Sequence, residues 1–158
     1  MNCSANTIRS NGGIRMSETF AEMMDKIKKD VHEILESPLS GWGKELNRLT
    51  YTFCTYERIV EEKKQLLTAN NKAKLIKELK ALQEVAEATD SEGKKLYSND
   101  KSREFAKNKK LEDDTGYNTV CKSIQELEME IKETEIIAKY LYYSRQNIMA
   151  VIKARCEE

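Results

Sequence analysis

His32 is the single histidine among 158 residues, and the four cysteines, Cys3, Cys54, Cys121 and Cys156, lie far apart along the chain. Metal sites built on several imidazoles are therefore excluded, and no Cys-x-x-Cys pair offers a metal clamp or a dithiol redox centre. A Cys-His nucleophile pair would need a long-range contact, whereas His32, between Val31 and Glu33 on a lysine-rich stretch, reads as an ordinary surface or boundary residue. Cys54 follows Phe53 and Cys121 follows Val120, so both are expected as buried thiols that behave like small hydrophobes. Glycine-rich phosphate loops are absent, since Gly41-Trp42-Gly43-Lys44 has a lysine after glycine without the rest of such a motif. Glu126, Glu128, Glu130, Glu133 and Glu135 crowd together, but a di-metal carboxylate site would need a Glu-x-x-His partner that the sequence does not contain. A solvated helix face is expected there. The sequence assigns no catalytic residue, no metal site and no cofactor.

Lys+Arg and Asp+Glu number 27 each, so the formal net charge is zero although 34% of the residues are charged. Neutrality removes the simplest electrostatic argument for nucleic-acid binding and leaves only local patches to carry it. No window approaches 18 uninterrupted apolar residues and the first residues have no apolar signal core, so a cytoplasmic protein without a membrane partner is expected.

The breakers show what must position any working surface. Gly43 and Gly93 enclose 49 residues without glycine or proline, and 42 more follow Gly116. Because glycine and proline cost about 1 and 3 kcal/mol inside a helix, two long helices are the economical expectation. Residues 1–16, with Asn, Ser, Gly and little apolar content, read as a flexible tail. A first helix is expected over 17–36, opened by Thr19 and Glu22 at capping-box spacing, with Phe20, Met23, Met24, Ile27, Val31, Ile34 and Leu35 on one face. A long helix over 44–89 carries Leu46, Leu49, Phe53, Tyr56 and Val60 at alternating steps of three and four, continuing through Lys63 to Leu67. The register then slips at Asn70-Asn71 before Leu75, Leu79, Leu82 and Ala86, which leaves open a stutter in one helix or a break into two. Residues 90–112 read as a connection with a short helix near Ser102 to Lys110, and Asp113-Asp114 favour the start of a last helix over 114–157. The long helices match in length, so the expected fold is all-α: an elongated antiparallel hairpin or coiled coil with an additional short N-terminal helix. That first helix can cover only part of the pair. A seam shared with a second copy, and so a homodimer, is a further expectation.

Two uneven distributions are candidate working surfaces. Trp42, Tyr51 and Tyr56 from one long helix, and Tyr140, Tyr142 and Tyr143 from the other, gather at the open end; adjacent tyrosines point about 100° apart, so some must be exposed as a protein-binding patch. The competing expectation is that the first helix folds back over them. At the connecting end, Lys94, Lys95, Lys101, Arg103, Lys107, Lys109 and Lys110 stand against only Asp100 and Glu104, with Tyr97 and Phe105 as stacking faces. Such a basic tip is the candidate nucleic-acid surface.

Leu96-Tyr97-Ser98-Asn99, followed by Lys101 and Arg103, the acidic pair Asp113-Asp114, Tyr117 and the aromatic segment Tyr140 to Tyr143, resembles small helical-hairpin proteins of bacteriophages and prophages. The resemblance covers about residues 44–152, brings no catalytic residues, and departs at Ile148 and Met149, where the family usually has a phenylalanine. It implies a viral context without implying an activity. In that context the helical rod and its two candidate surfaces lead to the expectation of a non-enzymatic phage-type interaction protein that binds, and inhibits or redirects, a nucleic-acid-processing complex such as a host-defence assembly. The alternative expectation is a DNA-binding accessory factor in phage recombination or replication that uses the basic tip.

Overall fold

The computed structural model describes residues 19–36 and 39–156, which form four helices: α1 (Phe20–Glu36), α2 (Leu39–Glu87), α3 (Asp100–Asp113) and α4 (Thr115–Cys156). Among the described residues there is no strand, only an isolated antiparallel bridge between Thr89 and Lys95. The fold is all-α, as the breaker pattern implies. The expected tail over 1–16 lies outside the described residues, as do Ser17, Glu18, Ser37, Pro38 and Glu157.

Cross-contacts establish that α2 and α4 run antiparallel. Arg145 Nε donates to Thr50 Oγ1 at 3.0 Å, Lys64 meets Glu135 at 2.7 Å, Lys63 meets Glu130 at 2.6 Å, and Asn70 Nδ2 donates to Ser123 Oγ at 2.9 Å. Residue numbers rise on one helix as they fall on the other. Buried and half-buried side chains recur at steps of three and four along α2, from Trp42, Leu46, Leu49, Phe53, Tyr56 and Val60 to Lys63, Leu67, Asn70, Lys74 and Lys77, and then Ala81 in the cleft with α3. The slip expected at Asn70-Asn71 does not occur, and α2 is one unbroken helix. Asn70 occupies a seam position and is satisfied there by Ser123, so a polar pair continues the heptad where the sequence offers no apolar residue. Leu75, Leu79 and Leu82, expected to resume the seam, are exposed instead.

α2 also begins earlier than expected, because Gly41, Trp42 and Gly43 are helical rather than part of a turn. Two interior glycines cost about 2 kcal/mol, while burying an indole contributes about 4–6 kcal/mol at ~25 cal/mol per Å². Trp42 is 1% exposed, and the Arg155 guanidinium lies 5.5 Å from its ring centroid. Burial of the indole outweighs the glycine penalty. α1 completes this end of the rod: Thr19 and Glu22 form the expected capping box, with Thr19 N–H donating to Glu22 Oε2 at 2.7 Å. Ile27, Val31 and Ile34 then join Trp42, Leu49, Tyr56, Ile137, Leu141 and Ile148 in the main core.

The connection reverses at Asp90 to Lys94, where Asp90 accepts backbone N–H groups from Glu92 and Lys94, and Gly93 supplies a φ of 78° that a side chain would strain. The following helix is longer than expected, since Asn99 caps it by accepting the Ser102 N–H at 2.8 Å. A single residue, Asp114, then separates α3 from α4.

Gly43 lies on helical backbone with nothing within 4 Å of an added Cβ. Gly43→Ala should therefore stabilise the protein by about 0.5–1 kcal/mol, read as a higher denaturation midpoint in urea with an unchanged slope. A turn at Gly41 to Gly43 would give the opposite sign.

Candidate interaction surface

The aromatic end divides into a covered set and an open set. Trp42 and Tyr56 are core residues, Tyr140 is half-buried against the same core, and Tyr51, Tyr142 and Tyr143 are exposed. The structure thus removes Trp42 and Tyr56 from any contact patch, because α1 folds back over them. Tyr142 and Tyr143 remain, with ring centroids 5.5 Å apart and edge to face, and the half-buried Phe53 of α2 lies 5.9 Å from Tyr142. Tyr51, 77% exposed, makes no ring contact with them among the described residues.

Two residues outside the expected patch extend it. Met129 and Ile136 are exposed and precede Tyr143 by fourteen and seven residues, which puts all three at one heptad position on the outer side of α4, with Tyr140 one turn from Tyr143. The signal was present in the sequence as a second seven-residue repeat, offset from the one that forms the seam. Only the packing shows which of the two is covered.

The basic tip is largely self-neutralised. Lys94 pairs with Glu92 at 3.0 Å, Arg103 with Asp100 at 3.3 Å, Lys107 with Glu104 at 2.7 Å, and Lys110 with Glu84. Lys95, Lys101 and Lys109 make no ion pair among the described residues. Two of these, Lys101 and Lys109, flank the exposed Phe105 at steps of four along α3, so a short basic and aromatic row survives on its outer face.

A cavity of about 580 Å³ between α2 and α3 is lined by Ile76, Lys77, Lys80, Glu84, Lys110 and Asp114 among others. Two of its cations are matched by carboxylates of its own wall, Lys110 by Glu84 and Lys77 by Asp114, while Lys80 has no ion pair among the described residues. Asp114 holds the junction: its Oδ1 accepts the Tyr117 N–H at 2.9 Å to cap α4, and its Oδ2 accepts from Lys77 Nζ at 2.8 Å. The Lys77 ammonium and these backbone donors keep the Asp114 carboxyl below its ordinary value of 3.8. Gly116 leaves room for the clasp, since an added Cβ would lie 2.9 Å from Lys77 Nζ. One turn on, Tyr117 donates to Glu78 Oε1 at 2.8 Å, and burial first, then Glu78 and Cys121, push its phenol well above its ordinary value.

The remaining candidates are surface groups. His32 is exposed and lies 3.1 Å from Glu36, as expected of a boundary residue. Cys54 is exposed rather than buried, because it follows the seam residue Phe53 and points away from α4, while Cys121 is half-buried. Among the described residues no three His, Cys, Asp or Glu side chains cluster as metal ligands, and no helix is long and apolar enough to cross a membrane. Comparison with family models, curated proteins and solved structures finds no match to this chain.

The clasp has a pH signature. The folded Asp114 carboxyl is depressed, so its ionised form stabilises the fold above pH 3.8, and that contribution fades as pH falls through the lower folded value. Asp114→Ala should lower the melting temperature at neutral pH through loss of the cap and ion pair, and thermal melts should show the gap to wild type closing in acid.

Proposed function

We propose that the protein is a non-enzymatic interaction module that binds another protein through the outer face of α4. The observation that carries this is the row Met129, Ile136 and Tyr143, exposed at seven-residue spacing on a helix whose opposite face is already packed. Seven-residue spacing suits an amphipathic helix of a partner, laid along α4 as a further strand of the coiled coil. Tyr142, Tyr143 and the half-buried Phe53 supply rigid aromatic area at one end of the row, the residue types that dominate binding energy in protein interfaces. The resemblance to phage and prophage helical hairpins supports a cytoplasmic partner within a nucleic-acid-processing complex, such as a host-defence assembly, that binding would inhibit or redirect.

Pull-down from a bacterial lysate tests this. The Ile136→Glu, Tyr142→Ala, Tyr143→Ala variant should keep wild-type helicity, because all three side chains are exposed, and should lose the recovered partner. An identical set of recovered proteins would overturn the proposal.

A second reading is favoured by the Lys101, Phe105 and Lys109 row, in which two unpaired cations flank an exposed ring. It is a DNA-binding accessory role in phage recombination or replication, with phosphates on the lysines and a base on Phe105. Fluorescence anisotropy with a single-stranded oligonucleotide should show binding that weakens with salt and drops about tenfold or more in Lys101→Glu, Phe105→Ala, Lys109→Glu. No binding at low salt would sink it.

A further inference from the structure

We infer that α2 pairs with α2 of a second copy of this chain, antiparallel, through Leu75, Leu79 and Leu82. These leucines are 54%, 56% and 40% exposed, and with Lys72 before and Ala86 after they follow one another at steps of three and four. That is the spacing of a coiled-coil seam. It lies on a different side of α2 from the hairpin's own seam, which in this stretch is occupied by Asn70, Lys77 and Glu78. α3 does not cover it either, because the cleft between α2 and α3 is walled on α2 by Ala73, Ile76, Lys77, Lys80, Ala81 and Glu84.

Charge selects the occupant and its direction. Over residues 72–80 the helix carries Lys72, Lys74, Lys77 and Lys80 against Glu78 alone; over 84–92 it and the turn beyond carry Glu84, Glu87, Asp90 and Glu92 with no base. Lys77, Glu84 and Glu92 already have partners in Asp114, Lys110 and Lys94, and Lys74 lies 4.0 Å from Glu78, while Lys72 and Lys80 have no ion pair among the described residues. An antiparallel copy sets each basic half against the acidic half of its neighbour, with Lys72 beside Glu87 and Asp90 of the other chain, whereas a parallel copy sets like against like. Two-fold symmetry makes both ends complementary at once. Residues 1–18 are a poorer occupant, since of their large aliphatic residues, Met1, Ile8, Ile14 and Met16, only the first two stand seven apart and no seam continues from them.

Sedimentation of the full chain over a concentration series tests this. Wild type should sediment at twice its 18.3 kDa, and Leu75→Glu, Leu82→Glu should halve that mass with helicity unchanged, both side chains being exposed in the single chain. Lys72→Glu and Glu87→Lys should each weaken the dimer about three- to fivefold, and the double variant should restore it. A monomeric wild type, or a dimer indifferent to the leucine substitutions, overturns the inference, and a double variant as weak as the singles overturns the antiparallel direction. Loss of dimer in a chain truncated before residue 19 would overturn it in favour of the N-terminal segment. Tyr142→Ala, Tyr143→Ala should remain dimeric, which separates this surface from the proposed partner face on α4.

Discussion

Two antiparallel helices bury one stripe from each and leave the remaining circumference to solvent. That constraint governs this protein, because α2 and α4 together make up most of the described chain and lie against each other from Trp42 with Arg155 to Glu78 with Tyr117. Every apolar side chain outside the seam must be covered by another element or left open. α1 covers one end, where Ile27, Val31 and Ile34 close over Trp42 and Tyr56. α3 covers part of the other, where the buried Leu111 and Ala81 line one cleft. Between and behind them, Met129, Ile136 and Tyr143 on α4 and Leu75, Leu79 and Leu82 on α2 stay exposed.

The seam is apolar at the α1 end and polar towards the connection. Trp42, Leu49, Tyr56, Ile137, Leu141 and Ile148 form a cluster whose stability comes from area removed from water. Beyond Val60 the cross-contacts become Lys63 to Glu130, Asn70 to Ser123, Lys77 to Asp114 and Glu78 to Tyr117. Such pairs add little stability at the surface but select one register, because a shift of either helix would leave half-buried polar groups unmatched. The two halves therefore do different work: one holds the helices together and the other aligns them. The outward-facing leucines of α2 sit on the half whose own seam is least apolar, where a second partner would contribute most.

Much of the architecture was legible in order and composition alone. Long intervals without glycine or proline marked both long helices, alternating steps of three and four marked the seam through Leu67, and Thr19 with Glu22 marked the start of α1. These features depend on neighbours within a few residues, and local backbone and side-chain preferences are sufficient to specify them. The fate of Gly41 to Gly43 was not legible, because their helical state depends on Trp42 finding a site between α1 and α4. The fate of Leu75, Leu79 and Leu82 was not legible either, since their spacing suits a seam equally well on any side of the helix.

What the sequence by itself determined is the set of elements and their periodicity: all helix, two matched lengths, a heptad in each, and a basic segment between them. Which stripe of each helix faces inward was decided by the tertiary structure. The physical reason is that Asn70, Lys77 and Glu78 can occupy a seam only when Ser123, Asp114 and Tyr117 stand opposite. No window along the chain reports what will be opposite. The same dependence on distant partners set Lys110 of the tip against Glu84, whereas Lys94, Arg103 and Lys107 meet carboxylates two or three residues away, and it left the aromatic residues of the open end half covered and half bare.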